Sequence, residues 1–191
     1  MNNDPVWGKI EGQIFQKLSL KHNVIYLREK YNTTPELATQ KAISEIKSGI
    51  IGIPKEEEII GPRLFFRVVG PINDVFSGAW WFDADLYKNL ETVFSRIYFF
   101  STDKKKAIRD MLRELLAISV NFNNTMTEVW ALELPPGERL TGYSGIGSPQ
   151  KLFGNLPFTE KGNRLLVGKA RQYYFPVKNP LWIKEYRYFG E

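Results

Sequence analysis

The sequence predicts an α+β protein. A helical annex spans residues 1–60, and a domain of short, mostly antiparallel strands with helices set among them spans residues 61–191. Three observations carry this. Polar sequence of helical period fills most of the first fifty residues. From Arg63 the texture changes to short β-branched and aromatic runs separated by turn residues. No strand–helix–strand rhythm of a parallel sheet recurs.

Val6 to about Gly49 reads as helical. Thr34-Pro35-Glu36 is a helix start. It offers a hydroxyl for the first free N–H groups, a proline that loses no bond in the first turn, and an acid at the positive end of the helix dipole. Leu37, Ala38, Ile43 and Ile46 recur at helical spacing, and Gly49 is the expected stop. Gly52 to Gly61 reads as a connection. RLFFRVVG, from Arg63, is a strand. Alternation sets Leu64, Phe66 and Val68 on one face and Arg63, Phe65 and Arg67 on the other, a pattern that projects charge either into a cleft or into solvent. SGAWWF, Ser77 to Phe82, follows a short loop, and Asp83 caps the helix after it. A second helix follows, with Ser101, Thr102 or Asp103 as its cap. Ile108, Met111, Leu112, Leu115 and Leu116 form its core stripe. EVWALELPPGERL reads as strand, tight Pro-Pro-Gly turn, strand. Tyr143 to Gly162 is loop-rich, the kind of stretch that binds ligands. RLLVG and RQYYFPV are short strands, and NPLWIKEYRYF is a last strand or packed segment.

Composition narrows the chemistry. In 191 residues, 43% hydrophobic and 14% aromatic content is enough for a folded domain with a real core. A net charge of +5 suits anionic partners: nucleic acid, nucleotide phosphates or a membrane surface. The densest basic run, Lys104-Lys105-Lys106, belongs on an exposed helix face. The absence of cysteine excludes disulfides and zinc–thiolate sites, and one histidine, His22, cannot build a multi-histidine metal site. No metal is expected. No apolar stretch approaches membrane-spanning length, so no membrane association is expected. The N-terminus lacks the basic start and apolar run of a signal peptide. The expected location is cytoplasmic as encoded, with delivery or secretion, if any, by a leaderless route.

Glycine-rich phosphate loops are absent, and Gly142-Tyr143-Ser144-Gly145 has the wrong spacing for a serine-hydrolase elbow. What remains is an ordered set of short pieces: FRVVG (Phe66 to Gly70), SGAWWF, NNTMTEVWALELPPGERL, GYSGIGSPQ and GKARQYYFP. Taken in this order, from about Arg63 to Lys178, they resemble polymorphic bacterial toxin domains of the ADP-ribosyltransferase-like superfamily, which includes NAD glycohydrolases. The family arginine falls on Arg67, the tryptophan on Trp80, the turn on Pro136-Gly137, the Ala-Ala-Pro-like loop on Gly147-Ser148-Pro149, and the glutamine on Gln172. The family's triple glycine stands here as Gly168-Lys169-Ala170.

The resemblance implies a split, mostly antiparallel sheet and cleavage of the nicotinamide–ribose bond of NAD as substrate. It implies Arg67 and Gln172 as catalytic residues, and Arg67, Trp80, Trp81, Ser148 and Gln172 as NAD-binding. The implied partners are a protein or nucleic-acid acceptor of ADP-ribose and an immunity protein. The residue chemistry agrees with it. A guanidinium forks a diphosphate, an indole stacks on nicotinamide or adenine, and an amide bonds ribose hydroxyls. The leaving nicotinamide already carries positive charge, so the reaction requires neither a histidine nor a strong acid. The alternative reading is a non-catalytic module on the same scaffold that grips nucleic acid or protein through its basic and aromatic surface.

Overall fold

The computed structural model describes residues 5–19, 23, 27–28, 30–70, 76, 78–97, 103–120, 125–154, 156–157, 159 and 162–189. His22, Ser77, Ser101, Thr102 and Asn121 to Asn124 lie outside the described residues. The elements run α1 (Pro5–Leu18), α2 (Pro35–Gly49), β1 (Lys55–Ile60), β2 (Arg63–Val69), β3 (Trp80–Asp83), α3 (Ala84–Ile97), α4 (Lys104–Leu116), β4 (Glu128–Leu134), β5 (Arg139–Ile146), β6 (Gln150–Lys151), β7 (Leu165–Leu166) and β8 (Arg171–Tyr174). A 3-10 turn at Pro180–Trp182 then leads into β9 (Ile183–Tyr186). The fold is α+β. A seven-stranded sheet has the order β1-β5-β8-β3-β2-β4-β9, its pairings antiparallel, and β6 and β7 form a separate ribbon.

The helix starts follow from side-chain caps. Thr34 Oγ1 accepts from the Leu37 N–H at 3.5 Å, Asp83 Oδ1 from Leu86 at 2.9 Å, and Asp103 Oδ1 from Lys106 at 3.0 Å. The stripes are narrower than the periodicity suggests. Leu37 is 49% exposed and Met111 40%, so the buried faces fall to Ala38, Thr39, Ala42, Ile43 and Ile46 and to Ile108, Leu112 and Leu116.

The stretch expected as a connection contains β1. KEEEII is an edge strand with its charges outward, so only Ile59 is buried and the usual alternation is missing. It pairs with β5 from Lys55 opposite Ser144 to Ile60 opposite Arg139. Glu58 meets Arg139 at 2.6 Å, and Glu57 meets both Ser144 and Arg171. Tyr143 to Ile146, expected as loop, therefore belongs to β5. The Pro-Pro-Gly turn is present, its Glu138 N–H donating to the Pro135 carbonyl at 3.2 Å. The strands it joins are not partners. β4 pairs with β2 and β9, whereas β5 pairs with β1 and β8.

Those two sets are half-sheets, and β3 joins them. Trp80 and Trp81 pair with Tyr174 and Tyr173 of β8, while Phe82 and Asp83 pair with Phe66 and Phe65 of β2. The inner faces meet in a core of Phe65, Val69, Trp81, Leu132, Leu134, Leu140, Tyr173 and Phe175. The Phe65 ring packs edge-on to Tyr173 at 5.0 Å and to Phe175 at 4.8 Å. On the outer face of the β2–β4 half, Phe66, Val68 and Phe82 pack with Tyr87, Phe94, Ile108 and Leu112 of α3 and α4. On the outer face of the β5–β8 half, Tyr143 and Tyr174 pack with Ile14, Leu18, Ala42, Ile43 and Ile46 of α1 and α2. The annex helices thus share a core with the sheet. Each such fully buried aliphatic or aromatic side chain contributes roughly 1.5–3 kcal/mol. None of the described helices is long and apolar enough to cross a membrane.

Candidate functional site

The partner switch along β3 opens the site. Phe66 is the last residue of β2 paired with β3, and Arg67 follows it. Counting back along β8, Tyr173 is the last residue paired with β3, and Gln172 follows it. Each keeps its partner on the other side, Arg67 opposite Trp130 and Gln172 opposite Gly145. Where β3 cannot serve both neighbours, the half-sheets part and leave a cleft of about 520 Å³. Arg67, Trp80, Trp81, Ser148 and Gln172, the five residues singled out from sequence, all line it.

Their geometry differs. Arg67 is half-buried, and its guanidinium rests on bare backbone, since a Cβ on Gly78 would lie 0.7 Å from Nη1. Gln172 lies against Gly147 in the same way, with a Cβ there 2.3 Å from Nε2. Gln172 Nε2 donates to the Leu116 carbonyl at 2.9 Å, at the end of α4. That bond fixes the amide and leaves Oε1 as its free acceptor. The Ser148 N–H donates to the Gly49 carbonyl at 2.8 Å and ties its loop to the end of α2. Trp80 is half-buried, edge-on to Tyr174 at 5.0 Å.

Trp81 corrects the sequence reading. It is 1% exposed, its ring belongs to the inner core, and Nε1 donates to the Gly78 carbonyl at 3.2 Å. No ring face is left for stacking on a ligand, so of the two tryptophans only Trp80 suits that role.

The segment Gly168-Lys169-Ala170 closes α4. Its N–H groups donate to the carbonyls of Glu114 at 3.2 Å and of Leu115 at 3.0 and 3.1 Å, satisfying helix-end acceptors. Only Gly168, at φ +63°, stands in the left-handed region. Lys169 is exposed and Ala170 is buried in the core, so neither place calls for glycine.

Sequence reasoning missed the annex's share of the cleft: Lys30, Glu45, Ser48 and Gly49. Lys30 Nζ lies 3.5 Å from Glu45 Oε2, and that oxygen also accepts from the Tyr174 hydroxyl at 2.8 Å. Burial pushes the Lys30 ammonium below its ordinary pKa; Glu45 opposes this, and Arg67 adds to it. Burial, then the Glu45 charge, pushes the Tyr174 phenol well above its ordinary value. Glu45 and Gly49 are four apart on α2 and so share a face, a weak signal; Lys30 carried none. Among the described residues, no group of three or more histidine or acidic side chains gathers as a metal-ligand set. No family model matches the chain, and neither does any curated protein or solved structure.

Proposed function

We propose that the cleft binds NAD and breaks its nicotinamide–ribose bond. The observation that supports this best is that Arg67 and Gln172, from two different half-sheets, line one cleft with Trp80. In this reading the Arg67 guanidinium forks the diphosphate, Trp80 stacks on a base, and Gln172 Oε1 accepts from a ribose hydroxyl. The bond between C1′ and the pyridinium nitrogen breaks, and its electron pair goes to the nitrogen, so nicotinamide leaves neutral. The sugar becomes an oxocarbenium ion. Water, or the nucleophile of an acceptor, adds at C1′ and gives up its proton. No acid is needed at the leaving group. The protein's part is to hold the ribose and to orient dipoles toward the developing charge.

Purified protein mixed with NAD should release nicotinamide. Arg67→Ala should lower that rate about 100-fold or more, the scale of losing an aligned charged contact in a dry site. Loss of NAD with no free nicotinamide, or equal rates in the two proteins, would refute the assignment.

A further inference from the structure

We propose that the helical annex supplies a second cation, Lys30, to bind the ligand's diphosphate opposite Arg67, with Glu45 and Tyr174 positioning the ammonium. The proposal rests on the dinucleotide reading for the ligand's identity. The anion site itself does not depend on bond cleavage.

Lys30 is built in place. Its side chain is 9% exposed, and Nζ sits 4.6 Å from the Tyr31 ring centroid, 5.5 Å from that of Tyr174 and 3.5 Å from Glu45 Oε2. A lysine that only reached for solvent would leave its ammonium in water. Here the stem is enclosed and the head borders the cleft. An ammonium has three donors, and Glu45 engages it only at the long end of hydrogen-bond range. Among the described residues lining the cleft, the charged ones are Lys30, Arg67 and Glu45, two cations against one carboxylate. Lys30 and Arg67 are close enough for each to disfavour the other's charge. An anion between them turns that repulsion into two attractions. A diphosphate fits this pair: Arg67 offers a planar fork and Lys30 a compact point charge.

The test is calorimetric titration with ADP-ribose and, separately, with inorganic pyrophosphate. Lys30→Gln should weaken both roughly tenfold or more, and Lys30→Arg should restore most of the affinity. In nicotinamide-release assays the same Lys30→Gln change should raise KM more than it lowers kcat. Should Lys30→Gln fail to fold, the wild type carries the test alone. The groups facing Lys30 are Tyr31 beside it, Glu45 on α2, Tyr174 on β8 and Arg67 on β2. The ammonium is the binding form, so ADP-ribose affinity should fall as pH rises, with a midpoint below the ordinary lysine value of 10.5. In Lys30→Arg that fall should vanish. Unchanged affinity in folded Lys30→Gln, or an identical pH profile in Lys30→Arg, would overturn the proposal even if the wild type cleaves NAD. Lys30-dependent pyrophosphate binding without nicotinamide release would keep the anion site and remove the cleavage reading.

Discussion

Phe65 and Arg67 stand two residues apart on the same face of β2, yet they meet opposite fates. Phe65 is 4% exposed and touches two aromatic rings of the facing half-sheet, while Arg67 lines a cleft. On β8 the adjacent Tyr173, in the inner core, and Gln172, at the cleft, already differ by strand alternation, so the contrast to explain is the one on β2. The difference is β3. Where β3 pairs with a strand the two half-sheets close into a dry core, and where it lets go they part. A four-residue strand thus decides which side chains fold the protein and which face the cleft.

The closed end should be the stability-bearing end. Phe65→Ala removes both ring contacts and should cost about 3–5 kcal/mol in a urea titration. A cost below about 1 kcal/mol would mean that the half-sheets are not held together there. At the open end the order reverses, with activity fragile and stability robust. In Gly78→Ala the new Cβ occupies the place of the Arg67 guanidinium. Nicotinamide release should drop at least tenfold, while the melting temperature moves by no more than a few degrees, because only the tip of a flexible side chain must shift. An unaffected rate would separate Arg67 from the chemistry. The smallest effect concerns the segment that closes α4. Ala170→Gly restores the glycine of the resembling toxins but gives up a buried methyl and frees the unfolded chain. It should destabilise by about 0.5–1 kcal/mol in the same titration and leave the release rate within twofold. A gain in rate would mean that the alanine restricts the site.

What could be read from the sequence divides along the same line. Arg67, Trp80 and Gln172 were legible because strand alternation and the order of short motifs depend on local sequence. The split needs only that β2 and β8 both neighbour β3. Trp81 misled because an indole beside an indole gives no sign of which ring turns inward; the pleat decides it. β1 was illegible because an edge strand that wears its charges outward, Lys55 to Glu58, reads like a linker. Lys30 and Glu45 were illegible for a different reason. Glu45 reaches the cleft on α2 through its bond with Tyr174, and Lys30 by packing over the Tyr174 ring, contacts across more than a hundred residues that no local pattern announces. The Pro-Pro-Gly turn shows the same limit: its chemistry was plain, but not that it carries the chain between half-sheets.

In the proposed function, NAD is cleaved at the parted end of β2 and β8. The most direct measurement is the rate of nicotinamide release by wild type and Gln172→Ala at matched concentration, with the melting temperature of each. The wild type should release nicotinamide, the variant should lose about 100-fold or more of that rate, and the melting temperatures should lie within a few degrees of each other. Equal release by both folded proteins, or none by the wild type, would contradict it.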